Sequence, residues 1–329
     1  MTKYKEFGYE DKNNLDCYIS NNLNDKDNIG RYNPITKKWE IKKSKKEDLR
    51  LGTFNCLGLE RFAERTLLIK RLEYICLEFE KLNLDIICLQ EVSKTVLDYF
   101  KNSSIIKNNF YISSNNVNWS FGGEQVCLIL SKIKPITSYL YYLKGEHYYG
   151  LCLLEYNSFL VGSIYLQAGS TASGLRNVKT YSNCRNKHLK ASINKIQSIA
   201  KSKQFFLLGD YNFDLDNHGL EYVTLRNYNF IDIYREHNPN KEGFTEDTDL
   251  NTMRFNFKPF KKKVRYDGII SNKKVIINSC HIFGDKPIFS ISKVEFKKAT
   301  GKDPEITNGD KVDWFLSDHF GVLCDITLI

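Results

Sequence analysis

Near the C terminus, Leu316-Ser317-Asp318-His319 is followed at once by the apolar run Phe320-Gly321-Val322-Leu323-Cys324. A carboxylate beside an imidazole at the mouth of a strand suits phosphoryl chemistry, in which growing negative charge must meet a proton donor and a cation. Four further clusters are built the same way. Leu49-Arg50-Leu51-Gly52-Thr53-Phe54 leads to Asn55, and Leu84-Asp85-Ile86-Ile87-Cys88-Leu89 leads to Gln90-Glu91. Phe205-Phe206-Leu207-Leu208 leads to Gly209-Asp210-Tyr211-Asn212, and Arg265-Tyr266-Asp267 opens Gly268-Ile269-Ile270. Strand-like segments that all carry Asn, Asp, Glu or His at one end describe a shared edge on which a site can be assembled.

Glu91 and Asp318 are hard oxygen ligands and Asn55 adds a neutral amide oxygen, a set suited to Mg²⁺ with Mn²⁺ as a substitute. The sequence has neither HExxH nor a Cys/His set for zinc. Cleavage of a phosphodiester needs an in-line water, neutralisation of charge on the phosphorane oxygens and help for the departing oxygen. Asp210 can orient and deprotonate the water. Asn212, two residues on and expected on the same strand face, can direct its amide to that water or to a phosphate oxygen. His319 would donate to the phosphate, with Asp267 as the carboxylate that fixes its tautomer. Tyr165, closing Ser163-Ile164-Tyr165, could place its hydroxyl on the phosphate. Arg265, Lys261, Lys262 and Phe244 are candidate substrate contacts, the cations for a phosphate backbone and the ring for an unpaired base. His147, His188, His218, His237 and His281 lack such context, and Gly122-Gly123 reads as a turn.

The elements that must position these residues follow from periodicity. Arg61 to Lys81 reads as an amphipathic helix through Leu67, Leu68, Leu72, Ile75 and Phe79, and Leu189 to Ala200 as another through Ile193, Ile196 and Ile199. Val126 to Leu130 and Tyr149 to Glu155 read as paired strands, with Phe159 to Leu166 a further one. Strands joined by short turns imply mostly antiparallel pairing. The expected fold is α/β: a two-sheet, mostly antiparallel β-sandwich flanked by helices, with the polar clusters at one end. Asp216-Asn217-His218-Gly219 makes one loop, and Lys258 to Lys263 a second, basic loop near the site.

The chain of 329 residues, 42% hydrophobic and 13% aromatic, can bury a large core, and six prolines leave no Pro-rich linker. Residues 1–47 are rich in Asn, Lys and Asp, end in a basic run from Lys37 to Lys46, and read as a flexible or loosely docked arm. Residues 48–329 form the catalytic domain. A net charge of +9 suits a polyanionic partner, although ordinary solubility charge accounts for it equally well. Nine cysteines, scattered singly and with no CxxC, read as reduced core residues of an intracellular protein, cytoplasmic or nuclear. No apolar stretch reaches membrane-spanning length, and a monomer is expected.

The ordered set Thr53-Phe54-Asn55, Leu89-Gln90-Glu91-Val92, Gly209-Asp210-Tyr211-Asn212, Tyr266-Asp267 and Ser317-Asp318-His319 resembles the endonuclease/exonuclease/phosphatase superfamily, which includes DNase I, apurinic endonucleases, inositol polyphosphate 5-phosphatases and poly(A) deadenylases. The resemblance implies the four-layer DNase I-like fold. Within the superfamily, Gly243 to Asn251, Arg265 to Ile270 and Ser317 to Cys324 are similar to three successive segments of the 5′-tyrosyl-DNA phosphodiesterases. That similarity implies a Mg²⁺-dependent phosphodiesterase acting on DNA ends or single strands in DNA repair. It makes Glu91 the principal metal ligand, gives Asp210 and Asn212 the nucleophile, and gives His319 the transition state. An apurinic or general endonuclease, a small-phosphoester phosphatase and a non-catalytic nucleic-acid-binding protein of the same fold are the alternatives. Three positions depart from the pattern: Leu57 stands where those enzymes carry an aspartate, Glu246 where they carry an aromatic residue, and Tyr165 where they carry a histidine, as in the apurinic endonucleases.

Overall fold

The computed structural model describes residues 48–114, 125–144, 148–169, 178–217 and 219–329, with four short strands ahead of them (Glu6–Gly8, Tyr18–Asn22, Tyr32–Asn33 and Lys38–Trp39). The rest of the arm, Gly122-Gly123, His147 and His218 lie outside the described residues.

Two sheets face each other. The first runs in the order Ile276–Phe283, Gly321–Thr327, Asp48–Asn55, Ile86–Val92, Val126–Ser131, Tyr111–Ile112. The second runs Glu6–Gly8, Tyr18–Asn22, Thr137–Lys144, Tyr148–Glu155, Phe159–Tyr165, Gln204–Asp210, Asp267–Ser271, Ile231–Asp232. Pairing is antiparallel except at the heart of each sheet, where Asp48–Asn55 lies parallel to Ile86–Val92 and Phe159–Tyr165 parallel to Gln204–Asp210. A parallel pair needs a long crossover, and in each sheet a helix supplies it: Leu68–Leu82 in the first, Val178–Ala200 in the second. The expected mostly antiparallel sandwich therefore holds one βαβ unit per sheet.

This arrangement explains why the central strands read as continuous apolar runs rather than alternating ones. Val126–Ser131 and Phe159–Tyr165 are buried along their whole length, covered by the opposite sheet on one face and by other elements on the other. The Leu68–Leu82 helix buries Leu68, Leu72, Ile75, Cys76 and Phe79 on one stripe, and Phe79 meets Phe54 edge to face at 6.1 Å. Each such side chain is worth about 1.5–3 kcal/mol of apolar burial.

Four details correct the sequence reading. The helix expected from Arg61 begins at Leu68, because Leu67 sits in left-handed backbone (φ 50°) after a short 3₁₀ turn at Glu60–Phe62. The helix expected from Leu189 starts instead at Val178. Val126–Ser131 and Tyr148–Glu155 do not pair: they belong to different sheets and meet across the sandwich, where Cys127 Sγ lies 3.2 Å from Gly150 O. Cys324, expected as a free thiol, is joined to Cys280, which lies opposite it in register on the neighbouring strand. Cys56, Cys76, Cys88, Cys127, Cys152 and Cys184 are buried and outside any disulfide.

Gly209 faces Ile164 in register across the two parallel strands of the second sheet. A Cβ there would stand 1.9 Å from Ile164 O. Gly209→Ala is therefore expected to lower stability by about 1–3 kcal/mol or more, as overpacking against a backbone atom does, and to displace Asp210. A denaturant midpoint matching that of the parent protein would refute the packing constraint.

Candidate active site

The four parallel strands end together, and Asn55, Glu91, Tyr165 and Asp210 sit at those ends. The carboxyl edge of parallel strands is where open α/β sheets place their ligands. Asp267 starts the antiparallel Asp267–Ser271 strand and pairs in register with Asp210, while Asp318 and His319 lie just ahead of Gly321–Thr327. Glu91 reaches the centre through a β-bulge: the register shifts between Leu89 and Val92, and Glu91 itself takes left-handed backbone (φ 53°). Gly58 must be glycine to pass beside it, since a Cβ there would lie 2.2 Å from Glu91 O.

Asn55 joins the sheets. Its Nδ2 donates to Glu91 Oε1 at 3.2 Å and to Asp210 Oδ2 at 3.0 Å, while its Oδ1 accepts the Leu57 N–H at 2.9 Å. Asn55 thus bridges two carboxylates, and the Leu57 N–H takes one lone pair of the amide oxygen expected from sequence as a metal donor. Tyr165 donates its hydroxyl to Glu91 Oε1 at 2.9 Å, so it orients a carboxylate where a phosphate contact was expected. Asn212 does not share a strand face with Asp210. The chain leaves the sheet after Asp210, Asn212 turns to φ 53°, and its amide folds back to Leu166 O at 2.9 Å while its N–H caps Asp210 Oδ1 at 2.9 Å.

His319 Nδ1 and Asp267 Oδ2 lie 2.8 Å apart, the imidazole–carboxylate pair expected from sequence. Asp210, Asp267 and His319 present ligand atoms all within 4.8 Å of one another, a set that could hold a divalent cation. Among the described residues, two buried carboxylate oxygens have no hydrogen-bond partner, Glu91 Oε2 and Asp267 Oδ1. Such orphaned acceptors are costly in a desolvated site unless a cation or substrate group meets them, so the donor set fits a divalent ion.

The electrostatics follow from burial. Desolvation, then the neighbouring Asp267, push Asp210 up to about 8 against the opposing effects of His319 and Asn55. Burial and Asp318 raise Glu91, partly countered by the Tyr165 and Asn55 hydrogen bonds. Burial disfavours the His319 imidazolium, but Asp267, Asp210 and Asp318 outweigh it and hold the ring well above its ordinary value.

The family model for the endonuclease/exonuclease/phosphatase family matches residues 52–319 of the chain. The chain belongs to that family. No curated protein matches it significantly. Among solved structures, truncated TDP2 of Caenorhabditis elegans aligns at TM-score 0.56 with 16% identity, over 85% of this chain and 97% of that one. TDP2 of D. rerio complexed with a single-strand DNA product aligns at 0.55 with 14% identity, over 86% and 100%. A mannosyl-6-phosphatase of Bacteroides thetaiotaomicron aligns at 0.61 with 12% identity, over 85% and 100%. As a member of the endonuclease/exonuclease/phosphatase family with a buried cation-competent cluster, the protein is a metal-dependent hydrolase of the nuclease and phosphodiesterase kind.

The departures from the family pattern have structural accounts. Leu57 joins Met253, Ile291, Phe296, Val312, Trp314 and Phe320 in a second, smaller core, where an aspartate would be buried without a partner. Glu246 is buried and ion-paired to Arg254 at 2.6 Å and Lys262 at 2.8 Å. Lys262 thus stands beside the site, its Nζ 4.6 Å from the Tyr266 ring centre, and that ring stacks on His319 at 6.1 Å. Lys261 is exposed and paired to Asp249. Arg265, expected on substrate, is buried and bound to Asp216 at 2.9 Å and Asp232 at 2.6 Å, with its Nη1 without a hydrogen-bond partner. Phe244 lines a cavity of about 660 Å³ next to Arg265, a cavity whose lining includes neither Glu91, Asp210 nor His319. Sequence reasoning did not single out Thr245, whose Oγ1 accepts the N–H groups of both Tyr266 and Asp267 and which lies in the family-like Gly243–Asn251 segment, or the buried Arg71, which carries no motif signal.

Asp210, Glu91 and His319 all hold protons in the folded chain at pH values where the unfolded chain has released them. Stability of the cation-free protein therefore falls as pH rises, from the ordinary carboxylate range through about 8 for Asp210 and from the ordinary imidazole range upward for His319. In EDTA the melting temperature is expected to drop between pH 6 and 9 (roughly the window set by these groups), with a shallower slope in Asp210→Asn and recovery on adding Mg²⁺. A pH-independent melting temperature in EDTA would contradict the assignment.

Proposed function

We propose that the protein is a Mg²⁺-dependent phosphodiesterase acting on nucleic-acid ends, of the kind that hydrolyses 5′-phosphotyrosyl DNA. The observation that carries the reading is the convergence of Asp210, the Asp267–His319 pair and the Glu91–Asp318 carboxylates on one strand edge. Glu91, with its orphaned Oε2, and Asp318 would hold the cation. When bound, the cation supplies positive charge to the phosphate oxygens and opposes the mutual repulsion of the two acids.

The chain's own residues do the remainder. Asp210 accepts the proton of the attacking water, its Oδ2 held by Asn55 and its Oδ1 by the Asn212 N–H, so that its approach is fixed. His319 keeps Nδ1 on Asp267 and directs Nε2 outward as a donor to the phosphate, which gains most as charge builds there. Tyr165 and Asn55 hold Glu91 from the side away from its free oxygen.

The choice of a nucleic acid is supported by the surroundings of Phe260. Arg254 and Lys258 lie 4.9 Å from its ring centre and Lys262 6.0 Å, with Glu246 as the carboxylate ion-paired to Arg254 and Lys262, which leaves a positive surplus beside Tyr266 and His319. Cations interleaved with aromatic rings suit a phosphate backbone with unpaired bases. The DNA product in the D. rerio TDP2 structure supports the same substrate class. A second reading, a small sugar-phosphate substrate, is favoured by one feature: Glu246 replaces a stacking ring with an ion pair. The Bacteroides mannosyl-6-phosphatase shows the fold serving such a substrate.

The test compares single-stranded oligonucleotides bearing a 5′-phosphotyrosine, an internal abasic site or no lesion, together with mannose 6-phosphate, in Mg²⁺ and in EDTA. Mg²⁺-dependent release of tyrosine, reduced at least about 10²–10⁴-fold in Asp210→Asn, is expected. Turnover confined to the sugar phosphate would replace the leading reading with the second one.

A further inference from the structure

Arg71 is a wholly buried cation that the proposed chemistry does not use. It lies in the first turn of the Leu68–Leu82 helix, and all five of its N–H donors are engaged. Nε donates to Thr66 O at 2.8 Å. Nη1 donates to Cys56 O at 2.9 Å and Leu316 O at 2.6 Å, and Nη2 to Leu57 O at 2.7 Å and Thr66 Oγ1 at 3.2 Å. Every acceptor is neutral. A buried guanidinium that faces only carbonyls and a hydroxyl is an expensive way to hold a helix, because burial opposes its charge and draws it down to about 10. Of the carboxylates that act on it, Asp318 does so most strongly, ahead of Glu91.

The acceptors explain the expense. Cys56 and Leu57 follow Asn55, the bridge between Glu91 and Asp210, and Leu316 sits two residues before Asp318 and three before His319. Leu57 and Leu316 are 259 residues apart in a chain of 329, and the planar fork of one arginine ties their two loops together. Trp314 adds to the same knot by donating Nε1 to Thr66 O at 3.1 Å. We propose that Arg71 is a positioning residue that fixes the distance between the Asn55 loop and the Asp318–His319 loop, and thereby the gap in which Glu91 and Asp318 receive a divalent cation. Lysine cannot reproduce the fork, since it offers one compact ammonium in place of planar, divergent donors.

This inference rests on the site reading above, so its test includes a measurement that needs no substrate. Mn²⁺ binding is followed by calorimetry, and kcat and KM by hydrolysis of bis(p-nitrophenyl) phosphate, for the parent chain, Arg71→Lys and Thr66→Val. The last removes a single acceptor and leaves the others. Circular dichroism melting in EDTA identifies the variants that fold. The expected result for folded Arg71→Lys is about 10–100-fold weaker Mn²⁺ binding, as when the partners behind metal ligands are lost, and kcat lowered about 100-fold with KM little changed. Thr66→Val should show both effects severalfold. If Arg71→Lys does not fold, the Thr66→Val result decides. Folded variants that bind Mn²⁺ like the parent chain would overturn the proposal. A parent chain that binds Mn²⁺ but cleaves no phosphodiester would instead defeat the functional reading, while the calorimetry still decides on Arg71.

Discussion

The site depends on one side-chain amide. Asn55 gives its two amide hydrogens to carboxylates carried by opposite sheets, Glu91 and Asp210, while its oxygen is held by the backbone of its own loop. The sandwich is thereby tied together at the edge where it would otherwise splay, because two desolvated acids repel each other across that edge. Ser163 and Gln90 continue the tie one layer deeper, with Gln90 Nε2 on Ser163 Oγ at 3.0 Å and Ser163 Oγ on Leu89 O at 3.1 Å. Polar groups buried between two sheets are tolerated only when they are satisfied, and these are satisfied by each other.

From that constraint the rest of the centre follows. One βαβ unit per sheet delivers four strand ends to the same edge, and the antiparallel strands beside them begin there, so acids arrive from both chain directions without a long loop. Burial, then the neighbouring acids, raises Asp210 and Glu91, and those acids raise His319 against its burial, which makes the folded chain an acceptor for positive charge. The His319 imidazole and the Arg71 guanidinium behind the loops are two sources of that charge, and a divalent ion would be a third.

Much of this was legible in the sequence, and the reasons for the exceptions are physical. Asn55, Glu91, Asp210, Asp267, Asp318 and His319 were found because each abuts an apolar run whose strand character is unmistakable. Their separate roles were less visible. The bulge at Glu91 and the left-handed turn at Asn212 are backbone events that neither residue type announces, so the hydrogen bonds that Asn55 and Asn212 make to Asp210 are visible only in the structure. Arg265 lies in a basic run, and its burial against Asp216 and Asp232, distant in sequence, is not written in that run. Val126–Ser131 and Tyr148–Glu155 looked like a hairpin because pattern reports which segments are strands and not which sheet each joins. Arg71 left no trace at all, since a lone arginine on a helix reads as surface.

The central claim is that the cation sits between Glu91 and Asp318 and leaves the Asp267–His319 pair free for proton chemistry. A crystal structure of the protein soaked in Mn²⁺, with the ion located by anomalous scattering, tests it directly. The account predicts one strong peak bonded to carboxylate oxygens of Glu91 and Asp318, with His319 Nδ1 still on Asp267. A peak instead among Asp210, Asp267 and His319, with that hydrogen bond broken, would contradict it.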